Sequence, residues 1–243
     1  MITTSDQKTI LEITKNYWAL HVDEDSFRSI LAGKEIGHRI ADYVDERTTE
    51  LIAATLPTGR QLLPSGEQMP RSMGDIWVES NNVLNPVNVK SGLWDTNGKP
   101  NLVALQKLLD SLLADEIDSY YLLIVKMEIT DTQSAVKKVA PKVFLVDMLD
   151  ILDFVSFDSG PGQLMLKEKS FYEHLASGAE LAPRSLADKV KFLVKIREDG
   201  DLRLIENRAA ALAQTLQAAK RYEDKVDHKI TQEELYFDKS KGR

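Results

Sequence analysis

Cysteine is absent from all 243 positions. That excludes disulfide staples, thiolate nucleophiles and zinc sites built on sulfur. Histidine is scarce, and His21, His38, His174 and His228 show no spacing such as H-E-x-x-H that would bring two imidazoles to one metal. Long apolar runs are missing as well. No stretch approaches the roughly 18 uninterrupted apolar residues of a membrane span. The opening Met1-Ile2-Thr3-Thr4-Ser5-Asp6 lacks the basic and apolar regions of a secretion signal. A soluble, intracellular protein is expected. Gly160-Pro161-Gly162 runs on into Gln163-Leu164-Met165-Leu166, so it is no phosphate-cradling G-x-G-x-x-G. Neither a Walker-type loop nor a G-x-S-x-G nucleophile elbow occurs. Basic residues are outnumbered, 31 against 38 acidic ones, for a net charge of −7. The balance argues against a general nucleic-acid coat. A cleft can still be positive inside an acidic exterior, and a site for a hard cation itself needs carboxylates.

The length suits one sizeable domain over residues 1–243, with residues 185–226 as a helical subregion near its C-terminal end. Ile10, Leu11, Ile13, Tyr17, Trp18 and Leu20 predict a first helix over residues 6–20. A short second helix is expected from Asp23 or Asp25 to Leu31. A longer one follows over 34–56, with Ile36, Ile40, Val44 and Leu51 as its apolar stripe and Glu35, Asp42, Glu46 and Glu50 on its other side. Residues 57–73 carry three prolines and two glycines and read as a long connection. Connections of that length inside a domain are often functional. A helix is expected over 101–114, and Tyr120 to Met127 reads as a central strand covered on both faces. Residues 142–148 and 151–155 look like further strands, with Asp147 and Asp150 as boundary acids. A special loop follows at 157–163, then a short helix near 171–175. Residues 185–197 are amphipathic, and Gly200 is expected to break the helix. Leu202, Ile205, Ala209, Leu212, Leu216 and Ala219 then alternate spacings of three and four. With alanine at two of six positions, this seam is expected to pack on its own domain rather than to form an intermolecular coiled coil.

The stretch from Gly74 to Gly92 reads as two short strands joined by an Asn-rich turn. With the turn centred between Asn82 and Val83, Asp75 lies opposite Lys90, and Trp77 opposite Asn88. Alternation then puts Asp75, Trp77, Glu79, Asn88 and Lys90 on one face. Ile76, Val78, Val87 and Val89 form the other, apolar face. Pro86 implies an edge strand or a bulge. A carboxylate, an amide and an amine gathered on one face suit metal-assisted hydrolysis. A carboxylate can hold Mg²⁺, which keeps several waters and needs few protein ligands. A lysine can orient the attacking water or stabilise charge developing on phosphorus.

Asp75 followed by Asn88-Val89-Lys90 on the next strand resembles the PD-(D/E)xK nuclease superfamily, especially type II restriction endonucleases. Gly74 stands where the motif has Pro, and Asn88 where it has its second acid. Gly33-Lys34-Glu35-Ile36 is similar to the place where many of these nucleases carry a further catalytic Glu. The resemblance covers residues 33–92. It implies an α/β fold with a central mixed β-sheet flanked by helices. It also implies a Mg²⁺-dependent, site-specific endodeoxyribonuclease of a prokaryotic restriction–modification system, acting as a homodimer on double-stranded DNA. Asp75, Asn88 and Glu35 would be the metal ligands, with Glu79 a second possible donor, and Lys90 the charge-stabilising group. Base edges are read by Arg, Lys, Asn or Gln. Two segments are candidates for that contact: Arg60, Gln61, Gln68 and Arg71 in the long connection, and Ser159, Gln163, Lys167 and Lys169 further on. The alternatives are a structure-specific or repair nuclease of the same fold, and a non-enzymatic protein whose 202–219 helix binds a partner.

Overall fold

The computed structural model describes residues 1–22, 36–60, 73–80, 82–94, 99–129 and 139–240. The chain divides into two compact units, Met1–Arg197 and Glu198–Arg243.

The first unit is built on a mixed sheet. Its strands are β1 (Gly59–Arg60), β2 (Ile76–Ser80), β3 (Val83–Leu93), β5 (Tyr121–Ile129) and β6 (Val139–Asp147), in the order β1-β2-β3-β5-β6. β3 and β5 are parallel, and the other neighbours are antiparallel. The α/β class with a mixed sheet flanked by helices is as the sequence implied. β5 sits inside the sheet because its side chains are apolar in both directions. Leu123, Val125 and Met127 join the core on one face, and Leu122 and Ile124 the core on the other.

Helices α1 (Thr4–His21) and α2 (Ile36–Thr55) cover the first face. Ile40, Val44, Thr48, Ile52 and Leu56 recur every four residues along α2 and are all buried. The stripe therefore runs through Thr48 and Ile52 rather than Leu51. Thr48 is tolerated inside because the Trp18 indole N–H donates to its Oγ1 at 2.9 Å, so neither polar group is buried unpaired. Asp42, Glu46 and Glu50 point to solvent, as the periodicity required.

The second face carries α3 (Leu105–Leu113), α4 (Glu168–Ser177) and a three-stranded sheet of β4 (Asn101–Ala104), β8 (Gln163–Leu166) and β7 (Val155–Asp158), in the order β4-β8-β7. The helix expected over 101–114 thus begins only at Leu105, since residues 101–104 pair with β8. Residues 152–154, expected as strand, form a 3-10 turn. Asp147 ends β6, as its position among apolar residues suggested. Its Oδ1 accepts the backbone N–H groups of Leu149 and Tyr120.

One ion pair is sealed in this layer. Lys126 Nζ meets Glu168 Oε1 at 2.5 Å, with both side chains at most 5% exposed. Gly92 makes room for it. Its φ of +147° is one that side chains rarely adopt, and a Cβ there would stand 3.2 Å from the Lys126 ammonium nitrogen.

Helix α5 (Leu186–Ser240) starts in the first unit, where Leu193 is buried, and provides the described part of the second. It runs through Gly200 without a break. One glycine costs a helix only about 1 kcal/mol, which its helix-forming neighbours offset. Of the apolar seam, Leu202, Ile205, Leu212 and Leu216 are 53–64% exposed, where a packed face was expected.

Candidate active site

The hairpin forms as read, but its turn is displaced. The pairs Ile76↔Val87 through Ser80↔Val83 leave two connecting residues, 81 and 82. Asn82 takes φ +60°. A turn centred one residue later would ask a left-handed conformation of Val83, which β-branching penalises, whereas asparagine adopts it readily. The register therefore differs from the one expected, and Lys90 is not opposite Asp75. Asp75 instead brackets Asn88. Its backbone N–H donates to the Val87 carbonyl at 2.9 Å, and its carboxylate Oδ2 accepts the Val89 N–H at 2.7 Å. Pro86 marks neither an edge nor a register shift here: β3 lies between β2 and β5, and Pro86 precedes its first β5-paired residue, Val87.

The division of faces survives, because a shift of two positions preserves side-chain alternation. Ile76, Val78, Val87 and Val89 line the α1/α2 core, and Trp77 lies in the opposite one. Asn88 shares that second face. Its Nδ2 donates to the Leu102 carbonyl at 2.7 Å and to the Tyr120 hydroxyl at 2.9 Å. Facing a carbonyl, this nitrogen cannot be exchanged with the oxygen. The orientation leaves Asn88 Oδ1 buried without a hydrogen-bond partner. Tyr120 is itself buried, which pushes its hydroxyl pKa up, with a contribution from Asp75.

A further acid belongs to the group, and sequence reasoning passed it over. Asp45 on α2 interacts with Asp75 and Lys90. Burial pushes its carboxyl pKa up to about 6, Ser91 and Lys90 draw it down, and Asp75 and Asp42 add to the rise. Its Oδ1 is buried without a hydrogen-bond partner. Ser91 fixes the local approach of α2 to β3 by donating its hydroxyl to the Ala41 carbonyl at 2.9 Å. The signal in the sequence was slight. Asp45 adjoins the buried Val44 on the helix, among acids that are all exposed.

Asp75, Asn88 and Lys90 are thus brought to one place, with Asp45 added. Glu79 is not. It stands four residues along β2 from Asp75, about 13 Å at strand rise, too far to share one small cation. Glu35, Gln61, Gln68 and Arg71 lie outside the described residues. Arg60 is in β1, with its side chain likewise outside the description. Ser159, Gln163 and Lys167 belong to the β7–β8 hairpin and the turn into α4, and Lys169 lies within α4. That small sheet reaches the main hairpin through the Asn88–Leu102 hydrogen bond.

The donor set is one of hard oxygens: two carboxylates, Asp75 and Asp45, and the amide oxygen of Asn88. Among the described residues no group of three or more His, Cys, Asp or Glu side chains is placed to hold a metal. Mg²⁺ asks for less, one or two carboxylates with waters filling the rest. The orphaned buried oxygen on Asp45, within electrostatic reach of Asp75, fits such a cation, while the one on Asn88 is turned to the opposite face of the sheet. No protein-family model and no curated protein matches the chain.

Proposed function

We propose that the chain is a Mg²⁺-dependent endodeoxyribonuclease that hydrolyses phosphodiester bonds in double-stranded DNA at a defined site. The observation that carries this reading is the meeting of Asp75, Lys90 and Asp45 beside Asn88, at the point where β2 gives way along β3. It matches the acid, x-x-Lys arrangement that resembles the PD-(D/E)xK nucleases, and Asp45 offsets the charge lost at Asn88.

In this mechanism Asp75 would hold the cation with Asp45 as second carboxylate, and Asn88 Oδ1 would serve as a neutral ligand or hold a water from the other face of the sheet. The bound Mg²⁺ supplies polarisation of the phosphate and a lowered pKa for coordinated water. The chain's own residues do the positioning. The Val89 N–H fixes one Asp75 oxygen, and Leu102 and Tyr120 fix the Asn88 amide. The Lys90 ammonium holds the attacking water or faces the charge that builds on the phosphoryl oxygens as the P–O bond to the leaving group breaks. A fixed charge aimed in this way is worth about 3–4 kcal/mol.

The test is incubation of purified protein with a mixed-sequence, unmethylated plasmid in Mg²⁺ and in EDTA. Discrete fragments that need Mg²⁺ are expected, and Asp75→Ala and Lys90→Ala should each lose about 10² to 10³ in rate with unchanged circular dichroism. Full activity of both variants, or no cleavage of any DNA, ends this reading. Metal-dependent cleavage without defined fragments would instead indicate a structure-specific or repair nuclease. A non-enzymatic interaction role is favoured by the exposed apolar positions of α5, and it predicts no cleavage at all.

A further inference from the structure

We infer that the distal part of α5 is a self-association surface, and that its occupant is a second copy of this chain lying antiparallel across residues 202–219. The inference is independent of the nuclease reading. Leu202, Ile205, Ala209, Leu212, Leu216 and Ala219 hold the a and d positions of successive heptads on a helix. All six are exposed, with the four large side chains 53–64% accessible. The seam is bounded by charge at both ends, Lys195 and Glu198 before it and Glu223 after it at the same heptad positions.

Size decides the direction. In a parallel, in-register pair Ala209 would face Ala209 and Ala219 would face Ala219, leaving two hollow layers. It would also set Asp201 against Glu206 of the second copy. In the antiparallel pair whose facing positions are 202 with 219, 205 with 216 and 209 with 212, every alanine meets a leucine and Ile205 meets Leu216. Large against small at the alanine layers is how facing helices interdigitate, and the Ile205–Leu216 layers supply the larger apolar contacts. Outside these layers, Asp199 of one copy flanks Lys220 of the other, and both are exposed. One repulsive contact remains, Glu198 against Glu223 at the ends of the seam. The surface therefore fits a weak, reversible dimer.

The test is analytical ultracentrifugation of the full chain across a concentration series. The 27.4 kDa chain is expected to shift to twice that mass towards about 100 μM, the range of a short coiled coil with few strong core positions. Leu212→Glu with Leu216→Glu should abolish the shift, with helicity by circular dichroism unchanged because both positions are exposed. Asp199→Lys alone and Lys220→Asp alone should each weaken the dimer about threefold or more, and the two together should restore it. Glu223→Lys should tighten it, by relieving the contact with Glu198. A monomer at every concentration overturns the inference, as does a dimer indifferent to the Leu212/Leu216 change. A dimer in which the charge exchange fails to restore affinity overturns the antiparallel register.

Discussion

Asp45 is held in its less favourable state at neutral pH. Its carboxyl ordinarily titrates near 3.8 and here near 6, so the folded chain binds this proton more tightly than the unfolded chain does. The sign follows from linkage. A raised carboxyl pKa gives a contribution that is fully present below pH 3.8 and is lost as pH rises through about 6. At pH 7 the ionised group costs on the order of 2–3 kcal/mol. Asp45→Asn should therefore make the metal-free protein more stable at pH 7, by about 1–3 kcal/mol, and flatten its stability profile between pH 4 and 6. The same change should lower Mg²⁺-dependent cleavage by about 10²-fold or more. Urea unfolding at several pH values, beside plasmid cleavage, measures both. A variant less stable at pH 7 than the parent would show that Asp45 is a structural acid. The Lys126–Glu168 pair behaves in the opposite way. Removing either partner leaves a buried charge without its counter-ion, so Lys126→Ala and Glu168→Ala should each cost roughly 3–5 kcal/mol. Lys126→Met with Glu168→Leu should cost much less than the sum, which a double-mutant cycle of unfolding free energies would read directly.

Among elements, the β2–β3 hairpin shows which local rules hold. Its two faces were legible, because strand alternation has a period of two and the apolar set Ile76, Val78, Val87 and Val89 is unambiguous. Its register was not, because register follows the turn, and the turn depends on which residue accepts a left-handed backbone. Asn82 does so at φ +60°. Asn82→Val should destabilise the protein by about 1–2 kcal/mol, while Asn82→Gly should change stability by only a few tenths. Equal stability of the two variants in chemical denaturation would contradict this account of the turn. β4 was misread for a different reason. Leu102 and Val103 suit a helix start as well as a strand, and only β8, some 60 residues on, makes them a strand.

At the scale of the molecule, a net charge of −7 constrains the proposed action on DNA. Contacts must come from local lysines and arginines against an acidic whole, so binding should be strongly salt-dependent. Each phosphate neutralised contributes about −0.9 to the slope of log K against log salt. For the Asp75→Ala variant a total slope of about −3 to −6 is expected from nitrocellulose retention of a labelled duplex. A slope near zero would count against DNA as the substrate.

The sequence by itself determined the elements whose pattern is self-contained: the presence of helices α1 and α2, the doubly buried β5, and the two faces of the hairpin that carries Asp75, Asn88 and Lys90. The α/β class with a mixed sheet was implied by the resemblance carried by Asp75 and Asn88-Val89-Lys90, and the order of helices and strands along the chain agreed with it. Tertiary structure alone decided the rest. It set the turn at residues 81 and 82, gave residues 101–104 to a second sheet, and carried α5 through Gly200. It also brought Asp45 from α2 to the site. Each of those outcomes depends on a partner distant in the chain or on a small difference in backbone energy, and neither leaves a periodic trace in the residues themselves.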